Sequence, residues 1–189
     1  MSDVRKALFC NYFYSKFFPA NYTELLDYFD DPKQSDDQKF AWGEMCDVGK
    51  ERLEKTDEVL DLLKPSIDDF FKIFEFKPAK KIVIEDIWKC LYVRGSYQEI
   101  HSHVGSDLTG VFFLTDYQEG ASEFFFRDRH DSELSNFWVT NYSKGSHTVE
   151  YERGEILFFP SYMLHGVTQH KHEVTRKVIS FNLMFPKIT

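Results

Sequence analysis

Cysteine is scarce in this sequence, and several common catalytic motifs are missing. The 189 residues include only three cysteines, Cys10, Cys46 and Cys90, and no two of them form a CxxC pair. This scattered, odd set leaves no cysteine-based zinc site and is typical of free thiols in a reducing compartment, so we expect a cytoplasmic protein. The sequence also has no glycine-rich phosphate loop, no GxSxG elbow and no cysteine nucleophile with a partner.

Long apolar runs and an excess of basic residues are also absent. The first residues, MSDVRKALFCNYFYSKFF, are interrupted by Lys, Arg, Asn and Tyr, so we expect neither a signal-peptide core nor a membrane span there. Asp and Glu number 31 against 23 Lys and Arg, which gives a net charge of −8. This balance repels phosphate backbones, and we expect neither nucleic acid nor a membrane as a partner.

The composition is that of a packed globular protein. Hydrophobic residues make up 42% of the chain and aromatic residues 17%, with twenty phenylalanines. Because no repeat or Gly/Ser/Pro linker divides the chain, we predict one domain over residues 1–189, with mainly helical support in 1–79 and a β-barrel core in 80–187.

Helical periodicity dominates the amino-terminal part of the sequence. A charged helix is predicted over roughly 47–64, ending before Pro65. A further helix follows, with apolar residues at i, i+3, i+4 and i+7; these are Ile67, Phe70, Phe71 and Phe74. The segment 8–18 suits a strand equally well.

Short strands separated by turn residues dominate the carboxyl-terminal part. Many are rich in β-branched and aromatic residues, and glycines lie between them. This pattern predicts a sandwich or jelly roll, and the helices packed on one side make the whole chain α+β. The predicted strands are 80–85, 87–93, 97–103, 108–115, 122–127, 136–140, 147–152, 155–160 and 175–185.

Three of the seven histidines are candidate metal ligands. His101 and His103 lie at i and i+2 on a predicted strand, so both side chains point to the same face. His165 follows an apolar strand that ends at Pro160. If the two segments are neighbours in a barrel, three imidazoles meet on one side of an ion, which leaves positions open for other ligands.

Several motifs, in their order and spacing, resemble the iron- and 2-oxoglutarate-dependent oxygenase superfamily. The likeness covers about residues 84–185 and is strongest to small phage and bacterial oxygenases of this superfamily, with a more distant likeness to prolyl 4-hydroxylases. The motifs are Tyr92-x-x-Gly95-x-Tyr97-x-x-x-His101-x-His103, LTGVFFL, Gly120 with FFF, GEILFFPSYMLHGV, Arg176, and SFN at 180–182.

The resemblance implies a double-stranded β-helix, a jelly-roll or cupin-like barrel, with Fe(II) near one mouth and 2-oxoglutarate as cosubstrate. It places metal ligands at His101 and His165. It implies that Arg176 holds the distal carboxylate of 2-oxoglutarate, since a planar guanidinium can form two parallel hydrogen bonds to a carboxylate. Tyr92 would add a hydroxyl to that carboxylate, and Asn182 matches a position that lines the pocket.

The sequence departs from the superfamily pattern at two places. Most members have Asp or Glu where this chain has His103, and either His103 or Asp107 could complete the metal site. Val178 stands where relatives often have Ser after the arginine. The resemblance implies a dioxygenase that hydroxylates a peptidyl or free amino-acid residue.

Two alternatives use the same residues. The sequence also resembles the opening of a cupin motif, at Gly95, His101 and His103. A cupin with three histidine ligands could catalyse an oxygenation that does not use 2-oxoglutarate. An inactive barrel that only binds a ligand or a partner is the other alternative. The prime substrate is either a peptide or a small molecule. The sequence leaves the oligomeric state undecided, because the aromatic segment 122–126 could be an exposed sheet edge that pairs with a second chain to form a homodimer.

Overall fold

Two antiparallel β-sheets lie face to face in this protein, for which a computed structural model describes residues 13–30, 46–128 and 145–186. The helices are α1 Tyr22–Asp30 and α2 Asp57–Ile73. The strands are β1 Ser15–Phe17, β2 Cys46–Asp47, β3 Gly49–Arg52, β4 Val83–Tyr92, β5 Tyr97–His101, β6 Leu108–Phe113, β7 Phe124–Arg127, β8 Ser146–Val149, β9 Ile156–Pro160, β10 His165–Val167 and β11 Arg176–Met184.

The strand order is that of a double-stranded β-helix, as predicted. The larger sheet has the order β1-β9-β6-β11-β4-β3 and the smaller one β2-β5-β10-β7-β8. Strands β9, β6, β11 and β4 are neighbours in space although they are scattered along the chain. The carboxyl-terminal strands therefore wind into one barrel-like body, and the α+β class is confirmed.

Side chains of the larger sheet alternate between two apolar clusters. Along β11, Ile179, Phe181 and Leu183 point to the outer face, whereas Val178 points between the sheets. Strands β6 and β9 alternate in the same way, because successive residues of a strand face opposite sides. Gly110 lets the backbone of β6 contact the Phe181 ring directly, because a Cβ at this position would lie 2.1 Å from that ring.

The two helices cover the outer face of the larger sheet. Leu25 and Phe29 of α1 and Leu63 and Ile67 of α2 are completely buried against it. Thr56 caps the start of helix α2, because its hydroxyl accepts a hydrogen bond from the Val59 N–H at 3.2 Å. The expected packing of the helices on one side of the barrel is thus confirmed.

Two details of the predicted elements are wrong. Helix α2 runs through Pro65 instead of ending before it, because its apolar stripe is continuous and the burial of that stripe outweighs the one hydrogen bond that proline cannot make. Residues 47–52 contribute to β2 and β3 instead of a helix. Strand β3 pairs with β4 at a sheet edge, where charged residues are common, and its Lys, Glu and Arg do not favour a helix strongly enough to prevent this pairing.

The smaller sheet also differs from expectation. Strand β7 pairs with β10 on one side and β8 on the other, so the aromatic segment 122–126 is not an exposed edge. The short strand β10 was not predicted as a strand. The predicted strand 136–140 lies outside the described residues, as do residues 8–12 of the predicted segment 8–18. No helix of the described residues is long and apolar enough to cross a membrane.

Candidate active site

Three histidines meet where strands β5 and β10 pair. His165 lies opposite His101 in the antiparallel register, and His103 follows β5 by two residues. The His103 backbone N–H donates to the Ser161 carbonyl at 2.9 Å, which fixes His103 beside the turn before β10. Each ring offers one nitrogen, and these nitrogens all lie within 4.8 Å of one another. The structure thus brings together the three histidines that the sequence predicts as ligands, and their coordination of a metal ion stays a prediction.

The hydrogen bonds of the rings orient two of the three histidines towards a common point. His101 Nδ1 donates to the Glu99 carbonyl at 2.7 Å, and His165 Nδ1 donates to the Met163 carbonyl at 2.9 Å. A carbonyl can only accept, so both Nδ1 atoms carry the proton and both Nε2 atoms present a lone pair. Backbone carbonyls behind metal-binding histidines have this role in many proteins.

Burial keeps the three imidazoles neutral. Desolvation, followed by the charge of neighbouring histidines, lowers the pKa of His103 to about 3 and that of His165 well below its usual value. Desolvation also lowers the pKa of His101. Neutral imidazole is the form that binds a metal ion, so all three rings have the charge state that metal binding requires at neutral pH.

Arg176 lies at the start of β11 and is almost completely buried. Its guanidinium carbon lies 4.7 Å from the ring centre of Tyr92 and 4.9 Å from that of Tyr151. Its Nε donates to the Tyr151 hydroxyl at 2.9 Å. Both terminal nitrogens are buried and have no hydrogen-bond partner among the described residues. A guanidinium with two unsatisfied donors is suited to bind a carboxylate with two parallel bonds.

Tyr92 packs against Arg176 but its hydroxyl points elsewhere. It donates to the side-chain carbonyl of Gln98 at 2.5 Å. Burial raises the pKa of Tyr92 well above its usual value, so the hydroxyl keeps its proton. Sequence reasoning missed Gln98 and Tyr151, because neither belongs to a motif that carries chemistry. Tyr151 comes from the turn after β8 and reaches Arg176 only through the fold.

Asn182 and Asp107 lie away from the Arg176 end. The Asn182 Nδ2 lies 3.2 Å from the His103 Nδ1. Asn182 therefore lies beside the histidines and not beside the Arg176 guanidinium. The Asp107 carboxylate accepts a hydrogen bond from the Phe185 backbone N–H at 2.7 Å. Asp107 does not belong to the group of nitrogens formed by the histidines.

The triad and Arg176 line one cavity between the two sheets. Trp88, Tyr92 and Gln98 contribute to its walls, and none of the described residues that line it is acidic. Its volume is about 20 Å³, room for roughly one water molecule. A metal-binding group and an anion-binding group thus share a small, largely buried space.

Comparison with known families agrees with this arrangement. A family model described as "Putative 2OG-Fe(II) oxygenase" matches residues 86–182, just over half of the chain. The protein belongs to this family. The match spans β4 to β11 and therefore includes the three histidines and Arg176. No curated protein matches the sequence.

Solved structures of the 2OG-Fe(II) oxygenase class share the fold. An oxidoreductase of this class from Burkholderia pseudomallei superposes with a TM-score of 0.66 at 12% identity, over 92% of this chain and 84% of the other. A prolyl-4-hydroxylase from Pseudomonas putida gives 0.59 at 15% identity, over 92% and 93%. HygX from Streptomyces hygroscopicus, with nickel and 2-oxoglutarate bound, gives 0.61 at 12% identity, over 93% and 84%.

Proposed function

We propose that this protein is an Fe(II)- and 2-oxoglutarate-dependent dioxygenase. The observation that carries the proposal is the buried Arg176, which lines the same cavity as the histidine triad and whose two terminal nitrogens have no partner among the described residues. A buried guanidinium left unsatisfied costs stability, which favours a ligand that completes its hydrogen bonds. A dicarboxylate that reaches from Arg176 to the triad has the right chemistry.

In this proposal each residue has a separate task. His101, His103 and His165 hold the ferrous ion, for which imidazole is a suitable ligand. The chemistry that bound iron would supply is activation of dioxygen, with one oxygen atom going to 2-oxoglutarate, which loses carbon dioxide and becomes succinate, and the other going to the prime substrate. Arg176 binds the distal carboxylate. Tyr92 and Tyr151 hold the guanidinium between their rings and exclude water from it.

The charge of the site favours a dianionic cosubstrate. Three neutral imidazoles leave a ferrous centre with its full double positive charge, whereas a carboxylate ligand would reduce it. Arg176 adds a further positive charge, and the described lining residues include no acid. The field in the cavity is therefore positive inside a protein whose net charge is −8.

Binding requires movement of the cavity walls. A space of about 20 Å³ is too small for 2-oxoglutarate. Gln98 is the long side chain on the wall, and its bond to Tyr92 must break if the Tyr92 hydroxyl is to reach the carboxylate. Changes of side-chain rotamer of this kind are common on binding. In this proposal the Tyr92 hydroxyl therefore gives up its hydrogen bond to Gln98 and donates to the ligand instead.

Hydroxylation of a peptidyl or free amino-acid residue is the proposed reaction on the prime substrate. Its support is the shared fold with the prolyl-4-hydroxylase from Pseudomonas putida. Fold likeness is an analogy, and the same fold is found in the epimerase SnoN of nogalamycin biosynthesis. A screen of amino acids and peptides for stimulated succinate production tests this part separately.

Anaerobic titration of the Fe(II)-loaded protein with 2-oxoglutarate tests the cosubstrate. We expect a saturable visible charge-transfer band in the wild type. In Arg176→Ala the half-saturating concentration should rise by roughly 100-fold or more, because a buried charge partner is removed, while iron affinity changes little. Arg94→Ala, on the exposed surface, is the matched control and should titrate like the wild type.

The remaining outcomes discriminate the alternatives. Iron bound without any band would favour the cupin-type site that does not use 2-oxoglutarate, and absence of iron binding would favour a barrel that only binds a ligand or partner. Equal loss of iron and cosubstrate in Arg176→Ala would contradict the role proposed for Arg176.

Removal of His165 tests the metal site directly. His165→Ala should abolish iron loading, measured by metal analysis after gel filtration, because two remaining imidazoles bind a ferrous ion weakly. His172→Ala removes a histidine outside the triad and should load fully. A fully loaded His165→Ala protein would exclude His165 from the ligand set.

A further inference from the structure

His103 differs from the other two histidines in the hydrogen-bond partner of its Nδ1. His101 and His165 each donate Nδ1–H to a backbone carbonyl. The Nδ1 of His103 instead meets the side-chain amide nitrogen of Asn182 at 3.2 Å. An amide nitrogen can only donate, so this Nδ1 accepts and the proton of the neutral ring must be on Nε2.

The other side of the His103 ring agrees with this assignment. Its Nε2 lies 3.3 Å from the Nε2 of His165. The His165 Nε2 is an acceptor, because its Nδ1 already donates to Met163. His103 therefore donates Nε2–H to His165. In this arrangement two histidines present lone pairs to the metal position and His103 presents a proton.

A chain of buried polar groups holds Asn182 in place. Its Oδ1 accepts from the Thr109 hydroxyl at 2.9 Å, and that hydroxyl lies 2.9 Å from the hydroxyl of Ser161. Thr109 and Ser161 are essentially inaccessible to solvent, and Asn182 is 7% exposed. Ser161 also accepts the His103 backbone N–H through its carbonyl. The chain thus begins and ends at His103.

The side-chain groups of this chain can reverse their hydrogen bonds, whereas the bond from the His103 backbone N–H to the Ser161 carbonyl stays as it is. Rotation of an amide by 180° exchanges its oxygen and nitrogen, and a hydroxyl both donates and accepts. After such a rotation, Asn182 would accept from His103 Nδ1–H and donate to Thr109, which would donate to Ser161. His103 Nε2 would then present its lone pair, and the bonds between these groups would be kept.

We propose that Asn182, held by Thr109 and Ser161, is a positioning residue that sets the tautomer of His103 and reverses its amide when a metal ion binds. This inference rests on the proposed metal-binding role of the triad. In this inference Asn182 acts on the ligand His103 and does not contact the cosubstrate.

Nitrogen-15 NMR of the imidazole rings reads the tautomer directly, with Zn²⁺ as a redox-inert probe. We expect His103 to carry its proton on Nε2 in the metal-free protein and on Nδ1 in the zinc-loaded protein. His101 and His165 should carry it on Nδ1 in both states. A metal-free His103 already protonated on Nδ1 would overturn the proposal, even if zinc and 2-oxoglutarate bind normally.

Two substitutions of Asn182 separate positioning from a merely structural role. Asn182→Asp can only accept, so metal-free His103 should switch to the Nδ1–H form and zinc affinity should be retained or increased. Asn182→Leu offers no partner, and zinc affinity should fall roughly 10- to 100-fold, as for other residues behind metal ligands. Equal losses in both variants would contradict the proposal.

Thr109 supplies a second, milder test that keeps Asn182. Thr109→Val removes the hydroxyl at nearly constant shape and should weaken zinc binding severalfold, whereas Thr109→Ser keeps the hydroxyl and should bind like the wild type. Unchanged zinc affinity in both Thr109→Val and Asn182→Leu, with both folded by circular dichroism, would show that the chain does not act on His103. Intact metal binding by the wild type in that case leaves the proposed function unaffected.

Discussion

The two faces of strand β11 are equally buried but chemically opposite. On the outer face, Ile179 and Phe181 pack against helices and neighbouring strands and are completely inaccessible. On the inner face, Arg176 and Asn182 are nearly as buried, at 2% and 7% exposure, yet both are polar. Burial therefore does not distinguish core from site in this fold. The outer face should control stability, and the inner face should control ligand binding at little cost in stability.

The largest effect on stability is expected from the outer face. Phe181→Ala removes a ring that covers Gly110 and contacts Phe158, so the free energy of unfolding should fall by about 3–5 kcal/mol. Denaturant unfolding measures this loss. Lys177→Ala, a partly exposed change on the same strand, should stay within about 0.5 kcal/mol. A loss below about 1 kcal/mol for Phe181→Ala would contradict the division between the faces.

A smaller effect is expected from the histidines when the pH falls. Their pKa values are lowered in the folded protein, that of His103 to about 3, so the unfolded chain binds more protons below its ordinary histidine pKa. Stability of the metal-free protein should be complete above about pH 6.5 and decline by a few kcal/mol as the pH falls towards 3.

Urea unfolding at successive pH values measures that decline, and His103→Gln should reduce its slope between pH 6.5 and 4 because this ring no longer takes up a proton on unfolding. An unchanged slope in this variant would mean that His103 titrates normally in the folded protein.

The smallest effect should have the opposite sign. Arg176→Met replaces a buried guanidinium, whose two terminal nitrogens find no partner in the part of the chain that the structure describes, by an apolar side chain of similar length. Without ligand, the variant should be as stable as the wild type or more stable by about 1 kcal/mol. Thermal unfolding with and without 2-oxoglutarate measures this, and only the wild type should gain stability from the cosubstrate. A loss above about 2 kcal/mol would show that the contacts with Tyr92 and Tyr151 outweigh the unsatisfied charge.

Most of the strands could be predicted from sequence because they depend on local patterns. Alternating apolar residues identify β11. The i, i+2 spacing predicts His101 and His103 on one face of a strand, but β5 ends at His101, and the hydrogen bond to Ser161 positions His103. His165 was recognised together with its neighbours in a motif. Arg176 was expected from the family resemblance, and the structure places it in the cavity that the histidines line, while carboxylate binding by Arg176 stays a prediction.

The remainder depends on contacts between distant segments, which local patterns do not encode. Tyr151 reaches Arg176 across 25 residues, and Thr109 reaches Asn182 across 73. Strand β3 forms because β4 offers an unpaired edge, although its charged residues suit a helix equally well. Pro65 stays inside a helix because a tertiary surface stabilises both halves of that helix. In each case contacts between distant segments determine the local structure, which the propensities of the residues alone do not.

Three nitrogen donors within 4.8 Å of one another also have a consequence for handling the protein. Nitrogen ligands bind nickel, copper and zinc more tightly than ferrous iron, in the usual order of divalent ions, and no carboxylate in this group counteracts that preference. Protein purified on a nickel-charged resin should therefore leave the column with the wrong ion in its centre. Chelation followed by anaerobic addition of iron would be needed before any assay could report the native composition.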